Sequence, residues 1–313
     1  MRKTCLDSVY ELAKKDRRIV FIGSDLGVGT LNQFKQELPD RFFMEGVSEA
    51  NIVGMAAGLA LEGKIVYVNT IATFITRRCF EQVVLDLGLH NANVRLIGNG
   101  GGVVYAPLGP THLAIDDMAI MRVIPNMTIV APCDANEMAR LMPLTVEHRG
   151  PLYIRLGKGG DPIVSTDAPF EIGRAIPMAG GSDVLLVSTG ITLKLALDAA
   201  AGLKAEGISA AVLHLHTVKP LDVETFMVHA SRVDAIVAIE EHSILGGLGG
   251  ALAEIVAEAG FEPAKRFKRI GIPDMFPHGY GSQASMMARC GITAERTIDV
   301  VKELLAVRTA RTS

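Results

Sequence analysis

Short runs of β-branched and aliphatic residues alternate along this chain with segments whose apolar residues recur at helical spacing. The runs predict strands near Ile19–Ile22, Ile65–Val68, Val94–Ile97, Thr128–Ala131 and Tyr153–Leu156. Helices are expected between them near Thr4–Lys15, Glu49–Leu61, Phe74–Leu89 and Ala135–His148. The pattern resumes with strands near Val184–Ser188, Ala211–Leu215, Ile236–Ile239 and Lys268–Ile270, and helices near Thr192–Glu206, Gly249–Ala259 and Ala294–Val307. The strands are apolar without alternation, as elements buried on both faces must be. The expected fold class is therefore α/β, with two open, mostly parallel sheets flanked by helices. Turn-rich Gly157-Lys158-Gly159-Gly160-Asp161-Pro162 lies between the halves. The expected domains are 1–160 and 171–313, joined by a linker at 161–170, each long enough for its own core. In open sheets ligands gather at the carboxyl ends of the strands. Asp25, Phe74 and Asn99 follow the first three strands at such places.

One predicted helix breaks the amphipathic rule. From Glu49 the chain runs for some fourteen residues almost wholly in Ala, Gly, Leu, Ile, Val and Met. Such a helix is expected to be buried nearly all round, inside the protein or at a large interface. Glu49 in its first turn would then be a buried carboxylate, costly unless something hydrogen-bonds it. That placement suits a group that holds or shares a proton. The alternative is a carboxylate that simply favours the positive end of a helix.

Composition narrows the classes. The 313 residues are 49% hydrophobic and 21% charged, with a net charge of −3 and no basic stripe of the kind nucleic acid requires. Asp7, Glu11, Lys14 and Lys15 interrupt any apolar leader, so no signal peptide is expected. The uncharged stretch Leu96–Ile115 is rich in Gly, Asn and Pro and does not suit a membrane helix. Cys5, Cys79, Cys133 and Cys290 are scattered without a C-x-x-C pair, which points to reduced thiols in a cytoplasmic protein.

Gly46-Val47-Ser48-Glu49 is followed by Gly109-Pro110-Thr111-His112, Ile115-Asp116-Asp117 and Arg122-Val123-Ile124-Pro125-Asn126. Val218-Lys219-Pro220-Leu221-Asp222, Ile239-Glu240-Glu241-His242 and Gly246-Gly247-Leu248-Gly249-Gly250 come later. This order resembles the C-terminal half of transketolase, in particular the small subunit of split transketolases, over essentially the whole chain. The resemblance implies a thiamine diphosphate (ThDP) pyrimidine-binding domain followed by a transketolase C-terminal domain. It implies Glu49 as the catalytic carboxylate on the aminopyrimidine ring and His112 as the histidine that contacts the donor's hydroxyls. For the cofactor pocket it implies Asp25 and Leu26, together with Ile71, Phe74 and Arg77 around the ring. Arg2 and Arg155 match arginines that hold substrate phosphate. Arg77 and Arg78 together read on their own as a solvated basic pair.

The family holds the diphosphate and its Mg²⁺ with Gly-Asp-Gly, a motif this chain does not contain. The resemblance therefore implies a separate partner subunit carrying it and an α2β2 assembly, with a homodimer of this chain as the other possibility. The chain itself is expected to supply no metal ligand for that site. Gly29, Gly100 and Leu108 stand where sugar transketolases carry a Ser, a His and an Asp. These losses point to an altered or branched sugar, or a less polar acceptor. Three readings stay open: ketol transfer, a pyruvate-using or 2-oxoacid reaction, and a non-catalytic assembly subunit.

Overall fold

The computed structural model describes residues 1–23 and 31–309, so Asp25, Leu26 and Gly29 lie outside the described residues. The first half supplies strands β1 (Ile19–Gly23), β2 (Phe42–Met44), β3 (Ile65–Ile71), β4 (Val94–Asn99), β5 (Thr128–Val130) and β6 (Leu152–Leu156). The second half supplies β7 (Ile176–Ala179), β8 (Val184–Ser188), β9 (Ala210–His214), β10 (Thr217–Lys219), β11 (Ala235–Ser243) and β12 (Arg266–Ile272). Among the described residues these form a seven-stranded sheet, β10-β5-β6-β4-β3-β1-β2, and a five-stranded sheet, β12-β11-β8-β9-β7. Pairing is parallel except at β10–β5 and β7–β9. Every residue of β1, β4, β6, β8 and β9 is buried, as the unbroken apolar runs demand.

Helices cover both faces of the first sheet. Cys5, Leu6 and Val9 of the Arg2–Lys15 helix join Met138 and Leu141 of the Ala135–Glu147 helix against Phe21 and Tyr67. On the other face, Ile52, Val53 and Ala56 pack on Val66, Val68 and Leu96. The Glu49–Leu61 helix is thus buried on its sheet side only. Asn51, Gly58 and Leu61 are exposed, with Leu61 63% accessible, so this chain alone does not bury the helix all round. Its outer face is apolar yet uncovered by this chain.

Two other elements differ from expectation. The predicted Phe74–Leu89 helix is two π-helical segments, Phe74–Arg78 and Val83–Leu89, around a short α-turn at Phe80–Gln82. Thr76 Oγ1 and Cys79 Sγ donate to the carbonyls of Ala72 and Ile75, competing with the main-chain ladder there. Strand β10 belongs to the second half yet pairs with β5, so the second half completes the first sheet. Among the described residues no helix is long and apolar enough to cross a membrane.

Candidate active site

Strands β1, β3 and β4 end side by side, Gly23 beside Asn69 and Ile71 beside Asn99. A Cβ on Gly23 would fall 2.3 Å from the Asn69 carbonyl oxygen, so glycine is what lets β1 end beside β3. Asn99 Nδ2 donates to Asn69 Oδ1 (2.5 Å) and to the Thr70 carbonyl (3.2 Å). Its Oδ1 is buried without a hydrogen-bond partner, a cost that a bound group could relieve.

Beyond β2 the chain turns sharply into the Glu49–Leu61 helix. Gly46 and Val47 both have positive φ, 64° and 55°, and Ser48 Oγ donates to the Glu45 carbonyl at 2.6 Å. A β-branched residue in that region is strained, and such strain gathers at functional sites. Val47 is also 80% exposed. The turn delivers the Glu49 side chain, only 3% exposed, to the start of the helix. Arg78 Nη1 donates to both of its oxygens, at 3.2 and 3.1 Å, while remaining 51% exposed.

The same guanidinium lies over the Phe74 ring, 4.2 Å from its centroid. Phe74 in turn meets the His112 ring edge-on, centroids 5.3 Å apart. Glu49, Arg78, Phe74 and His112 therefore form one continuous row. Thr73 Oγ1 (2.8 Å) and Arg77 Nη2 (2.6 Å) both donate to the Leu113 carbonyl, pinning the His112 loop beside the π-helical segment. Arg77 also bonds Thr73 Oγ1 and approaches Asp116 at 3.6 Å, so its visible task is to hold that loop. His112 Nδ1 pairs with Thr111 Oγ1 at 3.0 Å, leaving Nε2 as the atom for an outside partner. Ile71 ends β3, partly exposed, three residues before Phe74.

Arg155 is placed elsewhere. It is buried at the seam between the two halves, its Nε on Asp117 Oδ2 (2.7 Å) and its Nη2 on the carbonyls of Ala114 (3.2 Å) and Glu241 (2.8 Å). Tyr153 Oη donates to the same Asp117 oxygen at 2.7 Å. Burial alone would raise the Asp117 carboxyl, but Arg155, His242 and Tyr153 hold it below the usual range. Burial pushes Glu241 up to about 7 against the pull of Arg155. Glu241 Oε1 accepts from Val103 N and Gln283 Nε2, both at 2.9 Å, tying the Gly100–Gly102 loop to the second half. Arg2, at the first turn of its helix, interacts with Tyr105, whose phenol burial raises and Arg2 lowers.

Comparison with known proteins gives this arrangement a family. Residues 1–160 match the model of the transketolase pyrimidine binding domain, and residues 173–297 that of the transketolase C-terminal domain. The chain belongs to the transketolase family. It is 37% identical over 308 residues to the 6-deoxy-6-sulfo-D-fructose transketolase subunit SqwH of Clostridium sp. (strain MSTE9), covering 97% of this chain and 94% of that one. It is 39% identical over 276 residues to an apulose-4-phosphate transketolase subunit of Phocaeicola vulgatus, covering 87% of each. A solved chain described as a split gene transketolase, inactive β4 tetramer, superposes with a TM-score of 0.89 at 36% identity, covering 97% of this chain and 98% of that one. This transketolase-family chain thus matches the small subunit of a split transketolase in extent.

Two residues that contact the predicted site residues of this transketolase-family chain escape sequence reasoning. Arg78 reads as half of a solvated pair, and only the wide π-helical turn swings it onto Glu49. Tyr105 carries no motif, yet a Cβ on Gly100 would fall 2.2 Å from its ring, so Tyr105 fills the space that glycine leaves. The triple glycine opposite a bulky aromatic was the available signal. Leu108 is exposed beside this loop.

Proposed function

We propose that this chain is the pyrimidine-binding subunit of a ThDP-dependent split transketolase, moving a two-carbon ketol unit from a ketose to an aldose. The observation that carries the proposal is the buried Glu49 carboxylate, whose partner Arg78 is half in solvent and free to yield it. The residues present fit the pyrimidine end of ThDP: a carboxylate for a ring nitrogen, the Phe74 face for a flat heterocycle, and the unsatisfied Asn99 oxygen nearby. Asp25, Leu26 and Ile71 complete that pocket in our reading, and Arg77 serves it by fixing the loop. When bound, the cofactor supplies a carbon nucleophile able to cleave the bond beside a ketose carbonyl.

Glu49 holds a proton in its hydrogen bond to the ring nitrogen, and the surrounding apolar helix keeps water from competing for it. His112 orients the donor's hydroxyls and moves a proton at Nε2. In this reading Arg2, held beside Tyr105, serves the far end of the substrate. Arg155 acts behind the site, because a phosphate there would have to displace Asp117. The diphosphate and Mg²⁺ fall to a partner with Gly-Asp-Gly, in an α2β2 complex. The uncovered apolar face of the Glu49–Leu61 helix supports such an interface, as does the inactivity of the similar β4 tetramer.

The replacement of a phosphate-site His by Gly100 and of a donor-reading Asp by Leu108 supports a ketose with a modified end. The relatives named for a sulfo sugar and for apulose phosphate point the same way. The test is ketol transfer by this chain with a Gly-Asp-Gly partner, ThDP and Mg²⁺. The panel should hold ordinary ketose phosphates, 6-deoxy-6-sulfo-D-fructose, apulose 4-phosphate and pyruvate. Transfer from a ketose is expected. Turnover of pyruvate alone would move the chain to a decarboxylating reaction, and activity without any partner would overturn the split-enzyme reading.

A further inference from the structure

Away from Glu49, Phe74 and His112, three metal-binding side chains of different types converge at the seam of the two halves. Cys133 follows β5, Glu137 sits in the first turn of the Ala135–Glu147 helix, and His214 ends β9. One ligand atom of each lies within 4.8 Å of the others, and all three residues are buried. His214 Nε2 is 3.2 Å from Glu137 Oε2, which also accepts from the Cys133 amide at 2.7 Å. The other oxygen, Glu137 Oε1, has no hydrogen-bond partner although Glu137 is only 1% exposed. Leaving a buried carboxylate oxygen bare is costly, and nothing in the proposed reaction uses it.

We propose that Cys133, Glu137 and His214 bind a divalent transition metal of the zinc class, which bolts the two halves together. The donor set is one thiolate, one carboxylate and one imidazole, a mixture zinc accepts. Charge also balances. A thiolate at Cys133 and the Glu137 carboxylate carry two negative charges, which a dication neutralises. Metal binding sends the thiol proton to solvent. His214 Nδ1 lies 3.5 Å from Ser188 Oγ, the outer contact that orients a ligating imidazole. A cavity lined by Asp161, Ile191, Lys194, Gln283 and Met287 reaches Cys133 and gives the ion a way in. The three donors span the chain from 133 to 214, so no short Cys or His spacing could reveal them.

The competing reading is a plain Glu–His ion pair beside an inert thiol, and cobalt separates the two. The full chain, stripped with a chelator and free of ThDP and partner, is titrated with Co²⁺. We expect one Co²⁺ per chain, a sulfur-to-cobalt charge-transfer band displaced by Zn²⁺, and a thermal midpoint that rises with added Zn²⁺. Cys133→Ser should abolish the band and weaken binding at least about tenfold with an unchanged circular dichroism spectrum. If that variant does not fold, Glu137→Gln serves instead, and should show the same weakening with the band diminished. Absence of the band with Co²⁺ in excess overturns the proposal, and so does a band that survives in folded Cys133→Ser. Neither outcome bears on ketol transfer, which the experiment does not involve.

Discussion

The chain contains two carboxylate–arginine pairs that look alike on paper and behave as opposites. Asp117 and Arg155 meet at 2.7 Å, with side chains 0% and 7% exposed, and Tyr153 and two carbonyls share the load. Glu49 and Arg78 meet at 3.1 Å, with the carboxylate 3% exposed and the arginine 51%. The first pair has every incentive to stay closed, because opening it would strand a charge in a dry seam. The second is lopsided: the guanidinium can swing into water, but the Glu49 carboxylate it leaves stays buried and needs another donor in its place. A buried carboxylate with a removable partner is a site, while one with fixed partners is a rivet.

Substitutions can break this contrast. Glu49→Gln should lower ketol transfer by at least about 10²-fold while the thermal midpoint stays put, as activity and unfolding measured on the same preparation would show. Asp117→Ala should do the reverse. It leaves Arg155 unpaired and should cost about 3–5 kcal/mol in urea unfolding. Equal stability losses in both variants would erase the distinction.

Smaller effects sharpen it. Glu241, lifted from 4.5 to about 7, binds a proton more readily when folded than unfolded. Stability from this group is present below about pH 4.5 and lost as pH rises toward 7. His148 and His216, depressed to about 4, act in the opposite sense between about pH 4 and 6.5. Those histidines cancel in a comparison of the wild type with Glu241→Gln, so the variant should lack the decline between pH 4.5 and 7 in midpoint measurements. Last, Arg78→Ala leaves the buried Glu49 carboxylate without its donor and should cost about 1–3 kcal/mol of unfolding free energy, less than Asp117→Ala. A larger loss would make Arg78 a rivet too.

Most of the fold was legible because parallel strands buried on both faces leave an unbroken apolar signature. The core strands from β1 to β12 followed it closely. What escaped was held by tertiary contact: β2 and β10 are three residues long, and β7 carries Pro177 at a sheet edge. Glu49, Phe74 and His112 were readable as spaced motifs, and the structure sets them in one row with Arg78. The burial of Arg155 was not readable, because its partners Asp117 and Glu241 lie 38 and 86 residues away. Nor could periodicity show the π-helical turn that reorients Arg78, since Thr76 and Cys79 disturb the ladder through their own side chains.

Strand β10 has a practical meaning for anyone who would cut this molecule. A protease cleaving after Gly160, or a gene ending there, would release a first half whose β5 edge is bare. Such an edge is an open template for strands of other molecules. The fragment should aggregate where the whole chain stays dispersed. What looks in one dimension like two modules on a tether is, in three, a garment whose last stitch comes from the other sleeve.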